Sequence, residues 1–161
     1  GTDQLQNVLH LIKNDPNSRR IIINLWNAST LCNAALPACL CMYQFYVNTK
    51  KKELNLQIYI RSSDYFLANN WNTCTGAIFV HLLCNLKDIY LSPGELTVVV
   101  GDAHLYLNHL EQVKENLNRQ PHPFPKLKIK SSKKNIEEFE FEDLELIGYK
   151  CYPNIKAELS I

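Results

Sequence analysis

Leu5, Val8, Leu9 and Ile12 recur at spacings of three and four, the period of a helix with one apolar face. Residues 2–13 therefore read as a helix, capped by Thr2 or Asp3 and ended by Asp15-Pro16-Asn17. Arg19-Arg20 then leads into Ile21-Ile22-Ile23-Asn24-Leu25-Trp26, which predicts a strand buried on both faces. A second strand is expected from about Ala38 to Asn48. A lysine turn at Lys50-Lys51-Lys52 joins it to a third, from Leu54 to Ser62, and the two read as a hairpin. In the third strand Leu54, Leu56, Ile58 and Ile60 share one face, and Asn55, Gln57, Tyr59 and Arg61 share the other. Residues from about Leu67 to Leu86 predict a long apolar helix. Ser92-Pro93-Gly94 reads as a turn, and Leu96 to Val100 as a strand running into Gly101-Asp102-Ala103-His104. Tyr106 to Asn118 reads as a helix with Leu107, Leu110, Val113 and Leu117 on one side. Pro121-His122-Pro123-Phe124-Pro125 is a stiff extended connector, because each proline fixes its own φ and bars helix before it. Strands near Lys126–Lys130 and Leu144–Lys150 follow. The class is α+β, a sheet packed with helices.

A length of 161 residues fits a single domain, 1–161, with chain enough to bury a core. Net charge is only +1, so no overall field favours nucleic acid or an anionic membrane, and anion binding must come from a few placed residues. No apolar run approaches the roughly 20 residues that span a bilayer, and no basic-then-apolar leader opens the chain. The six cysteines, at 32, 39, 41, 74, 84 and 151, are expected to be free thiols in a reducing, cytoplasmic setting. The spacing Cys39-x-Cys41 is shorter than a zinc spacer and no second pair follows, so no metal site is expected.

Cys39, in Ala35-Leu36-Pro37-Ala38-Cys39, is a candidate nucleophile at the start of a strand, with Arg19, Arg20 and Arg61 as candidate sources of nearby positive charge. On local grounds alone it equally suits a structural strand cysteine. Arg61-Ser62-Ser63-Asp64 ends a strand just before a helix, a junction whose guanidinium, hydroxyls and helix N-terminus suit an oxyanion. A capping residue beside a solvated arginine would read the same way. Arg19-Arg20 could be a second anion clamp or a solvated turn. Asn69-Asn70-Trp71-Asn72 places amides, which both donate and accept, where an apolar helix begins, and capping would also explain one of them. Asp102, His104 and Tyr106 alternate after a strand and could form a sugar-binding rim.

Taken together, these segments resemble the C-terminal part of the thymidylate synthase family over nearly the whole chain. The stretches that carry the resemblance include Asp15-Pro16-Asn17-Ser18-Arg19-Arg20-Ile21-Ile22, Ala35-Leu36-Pro37-Ala38-Cys39, Arg61-Ser62-Ser63-Asp64, Gly101-Asp102-Ala103-His104-Leu105-Tyr106-Leu107-Asn108-His109 and Pro121-His122-Pro123-Phe124-Pro125-Lys126-Leu127. The resemblance implies a mixed sheet, one face of which forms a homodimer interface. It implies reductive methylation of deoxyuridylate (dUMP) to thymidylate (dTMP), with 5,10-methylenetetrahydrofolate as co-substrate. Cys39 would add to C6 of the pyrimidine. Arg61 and Ser62 would hold the phosphate, and Arg61 would support the Cys39 thiolate. Arg19 and Arg20 would reach the phosphate in the neighbouring subunit. Asn72 would read the base edge, a position where related cytidylate hydroxymethylases typically have aspartate, and its amide favours uracil. His104 and Tyr106 would contact the deoxyribose. Asp64 would orient the folate pterin, with Leu67 and Trp71 on the folate side, and Ile161 would close over the site.

The chain departs from the family pattern at several places. Leu40 stands where a histidine usually follows the nucleophile, and Ile60 where a glutamine usually precedes the arginine. Leu67-Ala68-Asn69-Asn70-Trp71-Asn72 lacks the glycine and proline usual near the folate. About the first hundred residues of the family have no counterpart, which reads as truncation at the N-terminus. Two other readings therefore stand beside methylation: a pyrimidine nucleotide hydroxymethylase, and a non-catalytic dimeric or structural subunit.

Overall fold

The computed structural model describes residues 1–159. Helix α1 spans Gln4–Asn14, and the side chain of Asp3 caps it by accepting from the backbone N–H of Gln6. Its apolar stripe buries Val8, Leu9 and Ile12. Strand β1 is only Ile22–Asn24. Ile21 and Ile23 are buried while Asn24 and Leu25 are exposed, so the run is an edge strand with one wet face and not one buried on both.

Strand β2 (Leu40–Asn48) and β3 (Glu53–Asp64) form the expected antiparallel hairpin, turning through Lys52 at φ 56°. Leu54, Leu56, Ile58 and Ile60 are at most 1% exposed, so the core face of β3 is the one its alternation foretold. Ile60 belongs to that core face, which accounts for its apolar side chain. Helix α2 (Asn69–Cys84) returns across the sheet and buries Gly76, Val80, Leu83 and Cys84 on one side. Gly76 faces Leu96 and Ile58, and a Cβ there would meet them in ordinary contact at 3.4 and 3.5 Å.

Strand β4 (Ser92–His104) pairs parallel to β3 and completes a four-stranded sheet in the order β1-β2-β3-β4. Ser92, Pro93 and Gly94 lie inside this strand, not in a turn before it. Proline is tolerated there because β4 is an edge strand and needs no donor on its open side. The predicted Tyr106–Asn118 helix is a short 3-10 turn, Leu107–His109, followed by α3, Leu110–Asn118. Its apolar stripe meets little protein: Leu107 is 85% and Leu117 77% exposed. The proline stretch is irregular, and β5 (Lys126–Ile129) pairs antiparallel with β6 (Leu144–Ile147) as a separate ribbon. Helices α1 and α2 bury the inner face of the sheet in one core. Tyr46, Tyr59 and Val99 stay exposed on the outer face.

Candidate active site

Strand polarity assembles the site. Because β2 runs against β3, the start of β2 meets the end of β3: Leu40 pairs with Ile60, and the N–H of Arg61 donates to the Cys39 carbonyl at 2.8 Å. Because β4 runs with β3, their ends coincide, and Ser62, Ser63 and Asp64 pair with Asp102, Ala103 and His104. Helix α2 starts directly after β3. Cys39, Arg61, Ser62, Asp64, Asn72, His104 and Tyr106 thus come from four elements to one rim of the sheet.

Arg61 is held tightly there. Its Nε donates to the Ala38 carbonyl at 3.0 Å and its Nη2 to the Pro37 carbonyl at 2.8 Å. Nη2 also stands 3.9 Å from the Cys39 sulfur, and the guanidinium lies 5.6 Å from the centre of the Trp26 ring. The arginine is therefore no solvated surface charge. It clamps the segment that presents the thiol and places a cation next to the sulfur. Cys39 is half-buried and free. By contrast, burial pushes the Cys84 thiol up to about 12, which makes it an inert core residue.

Asp64 shapes the turn into α2: its Oδ1 accepts from the N–H groups of Phe66 (2.9 Å) and Leu67 (3.2 Å). The residue preceding α2 is Ala68, with no side-chain cap, so the asparagines that follow are not capping the helix. Asn72 is half-buried in the first turn. His104 Nδ1 is 3.1 Å from Asp102 Oδ1, and its ring meets Tyr106 edge-on at 5.3 Å.

Arg19 and Arg20 do not join this group. Both are exposed, beside Asp15, Asn17 and Ser18 in a separate hollow of about 500 Å³. The N–H of Phe45 donates to the Ile21 carbonyl, which puts the pair at the far end of β2, roughly 20 Å along the strand from Cys39 at about 3.3 Å per residue. Of the candidate charges for the thiol, only Arg61 is adjacent. Ile161 lies outside the described residues.

A large cleft, about 620 Å³, is a neighbour of the rim and not the rim itself. Leu67 and Trp71 line it with Phe66, the Pro121–Pro125 stretch, Tyr152 and Ile155, whereas Cys39, Arg61 and His104 do not. The rim, with its free thiol and clamped cation, carries the candidate chemistry, which cleft size alone does not mark. Trp71, 70% exposed, and Phe66 give the cleft a flat apolar wall suited to an aromatic ring system. Sequence reasoning missed Trp26 and the Pro37 and Ala38 carbonyls as the holders of Arg61. No local pattern marks them, because the contacts span more than twenty residues of chain. Among the described residues no group of three or more His, Cys, Asp or Glu side chains is arranged to hold a metal, and no helix is long and apolar enough to cross a membrane.

Comparison with known proteins identifies the family. The thymidylate synthase family model matches residues 1–161. Thymidylate synthase of Mycoplasma mobile is 43% identical over 161 residues, 100% of this chain and 54% of the relative. Those of Listeria monocytogenes and Listeria innocua are each 44% identical over 159 residues, 99% of this chain and 49% of theirs. The chain spans about half the length of the curated relatives it matches. With a family model that matches residues 1–161 and relatives 43–44% identical along essentially the whole chain, the sequence belongs to the thymidylate synthase family.

Proposed function

We propose that the protein carrying this chain is a thymidylate synthase that converts dUMP to dTMP. Methylenetetrahydrofolate supplies both the one-carbon unit and the hydride. The observation that carries this reading is the Arg61 clamp on the Pro37-Ala38-Cys39 segment, with its guanidinium 3.9 Å from the sulfur. The Cys39 thiolate adds to C6 of the uracil ring, and the electron pair displaced from the C5–C6 double bond makes C5 nucleophilic. Arg61 stabilises the sulfur's charge before addition. Its Nη1, engaged by none of the contacts above, and the Ser62 hydroxyl receive the phosphate. Asn72 pairs with the uracil edge, and His104 and Tyr106 hold the deoxyribose, His104 oriented by Asp102. Asp64 orients the pterin, and Leu67 and Trp71 flank the folate.

The working protein is a cytoplasmic homodimer of one such domain per subunit, built on the outer face of the sheet. Exposed Tyr46, Tyr59 and Val99 support that interface, and Arg19 and Arg20, remote from their own Cys39, then serve the partner's phosphate. Ala68 and Asn70, which stand where the family pattern has its glycine and proline near the folate, favour one second reading. Water rather than hydride would then complete the reaction, giving a hydroxymethyl nucleotide.

The test incubates the full protein with dUMP and methylenetetrahydrofolate and identifies the products. Thymidylate with dihydrofolate is expected, and Cys39→Ser should lower turnover by at least about a thousandfold while retaining nucleotide binding. Hydroxymethyl nucleotide with tetrahydrofolate would establish the second reading. Absence of any product, with Cys39→Ser indistinguishable from wild type, would leave a non-catalytic subunit.

A further inference from the structure

His109 is a fully buried imidazole to which the proposed reaction assigns no part. Its Nε2 lies 2.7 Å from the backbone carbonyl of Glu158, a contact across 49 residues of chain. A carbonyl only accepts, so Nε2 carries the hydrogen and donates it. The other nitrogen, Nδ1, is buried with no hydrogen-bond partner among the described residues. Leaving a buried acceptor unmatched is costly, so the ring is not placed there for packing alone; an apolar side chain would fill the space without that cost.

The surroundings of the ring show what it connects. One neighbour is Tyr106, edge-on at 5.7 Å, whose own ring meets His104 at 5.3 Å. Another is Phe66, at 5.8 Å, which sits in the turn governed by Asp64 and lines the large cleft. The third is the C-terminal segment itself. Ile155 reaches the same cleft, and Lys156 to Glu158 border a small hollow with Asn108 and Gln112. One imidazole thus touches the sugar rim, the cleft wall and the end of the described chain.

We propose that His109 is a positioning residue: its Nε2–H bond to Glu158 ties the C-terminal segment to the Tyr106 and Phe66 rings, fixing that segment along the cleft where the co-substrate binds. It acts through the segment and touches no reacting atom. The inference rests on the functional reading above for its effect on turnover, but its structural part is independent of that reading.

The experiment compares His109→Leu, which keeps bulk and loses the donor, with His109→Gln, whose amide N–H replaces Nε2–H. Both are made in the full protein. Amide hydrogen exchange over residues 155–159 should quicken by about tenfold in His109→Leu and return towards wild type in His109→Gln. In turnover, His109→Leu should raise KM for the folate by about tenfold with kcat and dUMP affinity changed less than about twofold, and His109→Gln should restore KM. In a chain ending at Ala157 the effect of His109→Leu on folate KM should vanish, because the acceptor is gone. If His109→Leu fails to fold, His109→Phe, which keeps a ring and lacks the donor, takes its place in the same comparisons. Tail exchange unchanged in both variants, or a His109→Leu penalty that persists in the shortened chain, would overturn the proposal. Absence of dTMP synthesis by the wild type, with tail exchange responding as expected, would count against the functional reading and leave the tether standing.

Discussion

The clamp between Arg61 and the Cys39 segment depends on backbone position as much as on side chains. Gly101 on β4 enforces part of it: a Cβ there would lie 2.8 Å from the Arg61 carbonyl and 3.0 Å from the Tyr59 hydroxyl. Backbone cannot swing aside as a side chain can, so Gly101→Ala must push β4 away from β3 beside the rim. We expect a loss of about 1–3 kcal/mol in urea unfolding and weaker dUMP binding by calorimetry. An unchanged midpoint and affinity would show that the strands absorb the methyl. Little of this was legible in the sequence. Cys39 alone looked like an ordinary strand cysteine, and three arginines were equal candidates to stand beside it. The family resemblance singled out Arg61, but its physical ground, the hydrogen bonds that pair β2 with β3, is recorded by no local period.

At the scale of elements the sequence spoke clearly where one face is buried and one is wet. Helix α1 and the β2–β3 hairpin came out within a few residues, because period 3.6 and period 2 differ plainly there. It misled at β1 and β4, which are edge strands. Edge position lets Asn24 face water and admits Pro93, so a triple isoleucine overstated burial and Pro93-Gly94 mimicked a turn. The β5–β6 ribbon was found as strands, but its fastening was not. Asp143 accepts from the Ser131 hydroxyl at 2.6 Å and from the Glu140 N–H at 3.0 Å, and Lys133 approaches to 3.2 Å. These contacts, the Ser131 bond first, hold its carboxyl down at about 2. A depressed carboxyl stabilises above its unfolded value and loses that contribution as pH falls through its folded value. Protection of β5–β6 amides in NMR exchange should thus weaken between about pH 4 and about pH 2. In Asp143→Asn it should be weaker at neutrality and flat across that window. A wild-type ribbon indifferent to acid would refute the assignment.

For the whole molecule, the outer sheet face is where a partner subunit is proposed. Val99→Glu places a charge on that face and should yield a monomer by sedimentation, with thymidylate synthesis falling as Arg19 and Arg20 lose their proposed recipient. A dimer that survives Val99→Glu would move the interface elsewhere. The fold class was readable from pattern alone, and the family from the order of motifs. The position of the large cleft was not, because it gathers α2, the proline stretch and residues near the C-terminus, which are far apart in sequence. The opposed directions of β2 and β3, and the common direction of β3 and β4, also bear on how the protein comes to be folded. Cys39 and Arg61 are 22 residues apart and meet as soon as a hairpin zips. Asp64 meets His104 only after the chain has crossed back through α2, a longer closure with a larger entropic barrier. Cys39 and Arg61 should therefore assemble first and the Asp64–His104 edge last. In pulse-labelling during refolding, β2–β3 amides should gain protection before those of β4, and simultaneous protection would refute that order.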